Sequence, residues 1–167
     1  TYLYNGTDWE LEQKITASDS NFADYFGYGV DVENDTLVVG AHNDGVSGSA
    51  YVFSRETGTW SLEQKIQPPD GESDDEFGFS VSLSGEKVLI GSRKVDDVAV
   101  DAGAAYVYQR INSIWTMDQN LVATDGETFD LFGRDVAMDG DRLVVGVYYA
   151  DINGSNSGEA YLFEHTT

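Results

Sequence analysis

Six aspartates keep a fixed distance from a repeated Phe-Gly pair. Asp19, Asp70 and Asp125 stand seven residues before Phe26, Phe77 and Phe132, and Asp24, Asp75 and Asp130 stand two before the same phenylalanines. Paired carboxylates, together with backbone carbonyls, can ligate a hard cation such as Ca2+, which takes about 6–8 oxygen ligands. The same residues serve equally as acceptors for backbone N–H groups in tight turns. Both readings stand at this level, because no full calcium-loop spacing is present. Asp151 to Asn156 resembles half of such a loop, but it lacks the flanking acid and the other repeats do not copy it.

A second set of candidates lies in three loops of unlike content, His42-Asn43-Asp44, Arg93-Lys94-Val95-Asp96-Asp97 and Tyr148-Tyr149-Ala150-Asp151. Loops that vary on a constant scaffold are where recognition is usually placed, so a ligand is expected at His42, Asn43, Asp44, Arg93, Lys94, Asp96, Asp97, Tyr148, Tyr149 or Asp151. The tyrosine pair either stacks on a sugar or protein side chain or packs into the core. For catalysis there is little: histidine occurs only at His42 and His165, cysteine is absent, and there is no Gly-x-Ser-x-Gly and no metal-spaced His pair. Two acids can cleave a glycoside only if a pocket holds them about 5–10 Å apart, which spacing along the chain does not establish. The chain is therefore expected to be non-catalytic, with a carbohydrate-active enzyme as the remaining alternative.

What must position these residues is a threefold repeat. The segments FGYGVDVENDTLVVGA, FGFSVSLSGEKVLIGS and FGRDVAMDGDRLVVGV begin at Phe26, Phe77 and Phe132, 51 and 55 residues apart, and align residue for residue. Each alternates into a turn (Glu33 to Thr36, Ser84 to Lys87, Asp139 to Arg142) and then enters a short apolar run, the pattern of a hairpin of strands A and B. GSAYVF, GAAYVY and GEAYLF, from Gly48, Gly103 and Gly158, supply a third strand, C. WELEQKI, WSLEQKI and WTMDQNL, from Trp9, Trp60 and Trp115, supply the outer strand D, with Tyr2-Leu3-Tyr4 as the C strand before the first of them. Helical spacing is nearly absent, and a period of this size reads as one small antiparallel sheet per repeat.

The fold expected is all-β, a partial β-propeller with sheets of two, four, four and three strands. The divisions are residues 1–19, the C and D strands of an incomplete blade, then blades at 20–70 and 71–125, and a third at 126–167 lacking its D strand. Propellers close with about 4–8 blades, so the missing strands are expected from further blades or from another copy of the chain. In an up-and-down meander the D–A and B–C connections emerge on one side, which is expected to be strongly acidic.

Phe-Gly opening strand A, Gly-Ala closing strand B (Gly40-Ala41, then Gly91-Ser92 and Gly146-Val147) and Gly-x-Ala-Tyr-Val-Phe in strand C together resemble FG-GAP repeats. Those are the blades of the integrin alpha-subunit propeller and of many secreted or surface proteins. The resemblance implies an extracellular or cell-surface propeller that binds protein or glycan, or else an architectural module with no ligand of its own. Integrin-type blades often carry Asp-x-Asp-x-Asp-Gly-x-x-Asp between their first two strands. The corresponding turns here are too short for it, so those calcium sites do not carry over, and the chain looks like the short-turn subtype.

Composition narrows the partners. Thirty acidic against nine basic residues give a formal charge of -21 over 167 residues, which repels nucleic acid and anionic membrane surfaces. No apolar run reaches the roughly 18 residues that cross a bilayer, so no direct membrane insertion is expected. Asn5, Asn34 and Asn153 each begin an Asn-x-Ser/Thr acceptor in an expected turn, making them glycosylation candidates in a secreted protein.

Overall fold

The computed structural model describes residues 1–165, which contain thirteen strands and no helix. No helix is therefore long and apolar enough to cross a membrane. Strands β1 (Tyr2–Tyr4) and β2 (Trp9–Leu11) form a two-stranded sheet. Strands β3 (Val30–Glu33), β4 (Thr36–Ala41), β5 (Ser49–Glu56) and β6 (Thr59–Ile66) form an antiparallel meander in chain order. So do β7 (Phe77–Ser84), β8 (Lys87–Ser92), β9 (Ala104–Ile111) and β10 (Ile114–Leu121). The last sheet holds β11 (Phe132–Asp139), β12 (Arg142–Val147) and β13 (Glu159–Glu164). Strand numbers per sheet match the expected two, four, four and three.

Hairpin chemistry accounts for the A–B turns. Asn34, Gly85 and Gly140 hold φ of 52°, 58° and 60° at equivalent positions, a left-handed conformation that Asn and Gly adopt most readily. The three larger sheets pack face to face and fan apart. The inner strands β3, β7 and β11 converge, whereas the outer strands β6 and β10 barely touch. This is an open, partial propeller.

The middle strands are buried on both faces, which is why they read as unbroken apolar runs. Val88 and Ile90 join Val38 and Val52 in the core between the first two blades. Leu89, one residue out of phase, points the other way and joins Phe132 and Val145 in the next core. The equivalent position on blade three is Val144, which is 39% exposed because no described sheet packs beyond it.

Backbone joins the blades. Phe77 N–H donates to Ser47 O and Phe132 N–H to Ala102 O, both at 2.7 Å, each the start of a parallel bridge from one blade's loop to the next blade's first strand. The phenylalanine ring stays in its own blade, edge-on to Tyr106 in blade two and Tyr161 in blade three. Phe26 has no such loop before it among the described residues. Accordingly β3 begins only at Val30, and Phe26-Gly27, expected to open strand A, lies outside the ladder. β2 likewise covers Trp9–Leu11 rather than extending to Ile15, since its partner β1 has three residues.

A side-chain clamp ties the outer strands. Gln13 accepts from Trp60 N–H and donates to Trp60 O at 2.9 and 3.0 Å, and Gln64 does the same to Trp115 at 2.8 Å in both directions. Trp60 and Trp115 are buried as expected of repeated aromatics, but Trp9 is 69% exposed, because nothing described covers it.

Gly40, Gly91 and Gly146 are equivalent in sequence and not in packing. A Cβ on Gly40 or Gly91 would overlap the carbonyl oxygen of Gly78 or Gly133 in the next blade, whereas one on Gly146 meets nothing nearer than 3.6 Å. Gly40→Ala and Gly91→Ala are expected to destabilise by about 1–3 kcal/mol through backbone overpacking. Gly146→Ala should be close to neutral, and chemical denaturation of the three variants checks the contrast.

Candidate functional site

The D–A and B–C loops share one rim, as the meander requires. Asn43 N–H donates to Asp24 O at 3.4 Å, while Lys94 and Tyr149 N–H donate to Asp75 O and Asp130 O, both at 3.2 Å. Each of these aspartates sits between two left-handed residues: Ala23 and Tyr25, Asp74 and Glu76, Phe129 and Leu131. Such φ values are unfavourable for side chains other than Asn, Asp and Gly, so something must hold them. The buried carboxylate does so. Asp24 accepts from Asn21 N–H, Asp75 from Glu72 N–H at 2.6 Å and Asp130 from Glu127 N–H at 2.7 Å.

The other three aspartates meet the strand-C tyrosines. Tyr51, Tyr106 and Tyr161 direct their hydroxyls to Asp19, Asp70 and Asp125 at 3.0, 3.3 and 2.6 Å. Burial, with these carboxylates nearby, pushes all three phenols above their ordinary range. Among the described residues, no three His, Asp or Glu side chains are placed to hold a metal ion.

Blades one and two differ behind this shared geometry. In blade one Lys65 Nζ lies 2.7 Å from Asp19 and 2.6 Å from the buried Asp44. Desolvation works against the Asp44 carboxylate, but hydrogen bonds from Lys65, Ser49 and Tyr51 outweigh it and hold the group below the usual carboxylate range. The same contacts raise Lys65 against its own burial. In blade two Asn120 stands in place of lysine, and Asp70, Glu72, Asp75, Asp96 and Asp97 line a recess of about 180 Å³. Burial, then the charges of Glu72, Asp96 and Asp70, raise Asp75, against the backbone N–H that lowers it.

Nearer the axis the rim changes character. Tyr28, just before β3, and Phe79 and Arg134, within β7 and β11, occupy the same position of three successive Phe-Gly segments, and they follow one another in space. The Tyr28 and Phe79 rings are 4.6 Å apart, and the Arg134 guanidinium carbon lies 6.0 Å from Phe79 and 4.4 Å from Tyr148. His42 packs among Tyr25, Tyr28 and Phe79, and Arg93 lies 4.0 Å over the Phe79 ring. Burial holds His42 below its ordinary value, with Glu76 opposing and Arg93 and Lys94 reinforcing. Glu76 would itself be raised by burial, but its pairing with Arg93 and Lys94 lowers it.

Of the residues expected to bind a ligand, the structure brings together His42, Arg93, Lys94, Tyr148 and Tyr149. The tyrosine pair is exposed rather than core, at 55% and 39%. Asn43 is tied to its own rim, donating to Ala23 O at 2.9 Å. Asp44 is a buried partner of Lys65, and Asp96 and Asp151 staple their loops by accepting Asp101 and Asn156 N–H. Asp97 faces Asn120 at 3.3 Å. On the rim expected to be strongly acidic, Arg93, Lys94 and Arg134 lie where the loops and inner strands converge. Tyr25, Tyr28, Glu76, Phe79 and Arg134 were not singled out from the sequence. The signal was present in FGY, FGF and FGR, where the third residue changes class while its neighbours hold. Asn5, Asn34 and Asn153 are all exposed in turns.

A fan of four-stranded meanders joined through Phe-Gly pairs defines a β-propeller module. The FG-GAP repeat family matches residues 9–53, 60–108 and 115–163, and the chain belongs to that family. Each match starts on a D strand and ends on the C strand of the following sheet, so the sequence unit is offset from the sheet by one strand. No curated protein matches the chain. FG-GAP propellers are generally non-catalytic and typically belong to extracellular or surface proteins.

Lys65→Met should cost about 1–3 kcal/mol by leaving the buried Asp44 carboxylate without its cation. Because Asp19 and Asp44 titrate below the normal range when folded, their contribution is complete above about pH 4 and is lost on acidification through the folded values. Melting curves of Asp44→Asn below pH 4 should fall less steeply than those of the native protein.

Proposed function

We propose that this chain is a non-catalytic recognition module of an extracellular or cell-surface protein, binding protein or glycan through the rim where the D–A and B–C loops meet. The observation that carries it is the contrast between constant and variable positions. Residues that build the blades recur in all three copies, while those nearest the axis on this rim are His42, Arg93 and Tyr148, and Tyr28, Phe79 and Arg134. Exposed aromatic rings beside cations are the chemistry of recognition, and loops on a rigid scaffold are its usual place. Glycan arrays and pull-downs from a native cell surface are expected to return a ligand that Tyr148→Ala weakens; a folded protein that captures nothing would refute the proposal.

Calcium belongs to the same proposal, in blade two. Five carboxylates line the recess there with no Lys or Arg beside them; no three of them are placed to hold an ion as they stand, so an ion would have to draw them together, relieving their repulsion as it did. A thermal melt in calcium and in chelator should differ by several degrees, since binding to the folded state alone raises stability. An unchanged midpoint removes calcium.

A second reading, an architectural module, draws on open sheet edges. β13 has no partner on its outer side among the described residues, and Tyr2, Leu3, Tyr4, Trp9 and Leu11 are all exposed. Unpaired edges template pairing with another chain. Solution mass tests this reading: a dimer or larger assembly is expected, and a monomer at 18.3 kDa would count against it.

A further inference from the structure

His42 is the one histidine within the blades, since His165 follows the last strand, and it is enclosed by rings from two of them. Its imidazole lies parallel to Tyr25, with 5.1 Å between centroids and 5° between planes, and edge-on to Tyr28 at 4.5 Å and Phe79 at 5.3 Å. Tyr25 and Tyr28 belong to the segment leading into β3 and Phe79 to β7, so the ring bridges blades one and two. Both of those blades are described, and the enclosure does not depend on where the chain begins or ends.

This box suits a neutral ring and has no place for a charged one. Nδ1 is shut off from water and has no hydrogen-bond partner among the described residues. A neutral imidazole carries one N–H, which Nε2 can hold; an imidazolium carries two, and the second would be buried without an acceptor. The charges around the box act in the same direction. Arg93 and Lys94, from the β8–β9 loop, repel a further cation, and Glu76, just before β7, is already shared between them at 2.5 and 2.7 Å. Arg134, on β11, lies on Phe79 and adds positive charge. The carboxylates of blade one beside it in the chain are engaged elsewhere: Asp24 accepts from Asn21 N–H, and Asp44 holds Lys65 and the Tyr51 hydroxyl. Stacking on Tyr25 would return something to an imidazolium, but Tyr25 is exposed, and an exposed cation–π contact returns less than an unmet buried N–H costs. Burial, reinforced by Arg93 and Lys94, therefore holds His42 below its ordinary value against the pull of Glu76, in a chain whose charge of -21 would by itself raise it.

We propose that His42 is a proton-operated latch between blades one and two: neutral, it fills the aromatic box and closes the rim; protonated, it leaves the box and the rim loosens there. Tyr25 is the element that moves with it. Its φ of 55° is unfavourable for tyrosine, and stacking on His42 is the ring contact that offsets this. Between the folded value and the ordinary one, the unfolded chain binds more protons than the folded one. The contribution of His42 to stability is thus complete above about pH 6.5 and is lost on acidification through the folded value.

The test is an NMR titration of protein carrying isotope-labelled histidine, from about pH 8 to 5, above the range of ordinary carboxylates. Two ring signals are expected, and His165→Gln assigns them by removing one. His42 should titrate with a midpoint below about 6.5, and the Tyr28 and Phe79 ring signals, with the Asn43 and Lys94 amides, should shift with the same midpoint. His42→Phe keeps an aromatic ring in the box with no proton to bind, so its melting midpoint should fall less than that of the native protein over this pH range. A His42 midpoint at or above about 6.5, or a titration that leaves the Tyr28 and Phe79 rings unmoved, would overturn the inference. So would an equal pH dependence of melting in the native protein and His42→Phe; were that variant not to fold, the native titration decides alone. None of these outcomes bears on the recognition reading above.

Discussion

The joint between blades is a contact of backbone on backbone, and the rest of the molecule is arranged to permit it. Gly40 lies against Gly78 and Gly91 against Gly133 so closely that neither pair has room for a Cβ. Gly78 and Gly133 adopt φ of 87° and 86°, a conformation open to glycine, and their strands bulge there. That geometry brings Phe77 and Phe132 N–H onto the loop of the preceding blade and fixes the angle at which successive sheets fan. Close packing transmits such a constraint because an interior near crystal density has no slack to absorb a misplaced methyl. The core clusters between blades, Val38 with Val88 and Leu89 with Val145, fill the wedge that the joint defines.

Charge is ordered by distance from the axis. Outer and middle cations are tied to carboxylates: Arg55 to Glu12 and Asp35, Arg110 to Glu63 and Glu86, Lys65 to Asp19 and Asp44. Arg55–Glu12 and Arg110–Glu63 bind one blade's outer segment to the next blade's C strand and so help register, while Lys65 closes on the buried Asp44 within blade one. Toward the axis the pairing stops at Arg134, and aromatic rings take the place of carboxylates. The repeated aspartates of the rim hold left-handed turns and tyrosine hydroxyls in all three blades. These contacts explain their spacing without a ligand, and they leave the unlike blade-two recess as the place where a cation would matter.

Much of this was legible in advance, and for definite reasons. The strand number of every sheet followed from period-two alternation and turn residues, because hairpin pairing is local. Recognition of the FG-GAP repeat followed from three aligned copies. The first strand of blade one was read too long, since Phe26-Gly27 can join a ladder only if a preceding loop supplies the partner. The candidate site was half legible. His42, Arg93 and Tyr148 stood out as variable loop residues, but Tyr28, Phe79 and Arg134 were hidden inside a strand pattern, where difference between copies is easily taken for drift.

By itself the sequence determined which residues form strands, where they turn and that three like units follow one another, since those depend on neighbours within a few residues. It also carried the excess of acid that makes polyanions poor partners. Tertiary structure alone decided that Asp44 is buried on Lys65 where its counterparts Val95 and Ala150 are buried apolar side chains, that equivalent glycines differ in what they tolerate, and that an arginine without a carboxylate lies beside a tyrosine. Those outcomes depend on what a neighbouring blade places opposite each position, and residues 51 to 55 apart in the chain meet only when the sheets fan around their common axis.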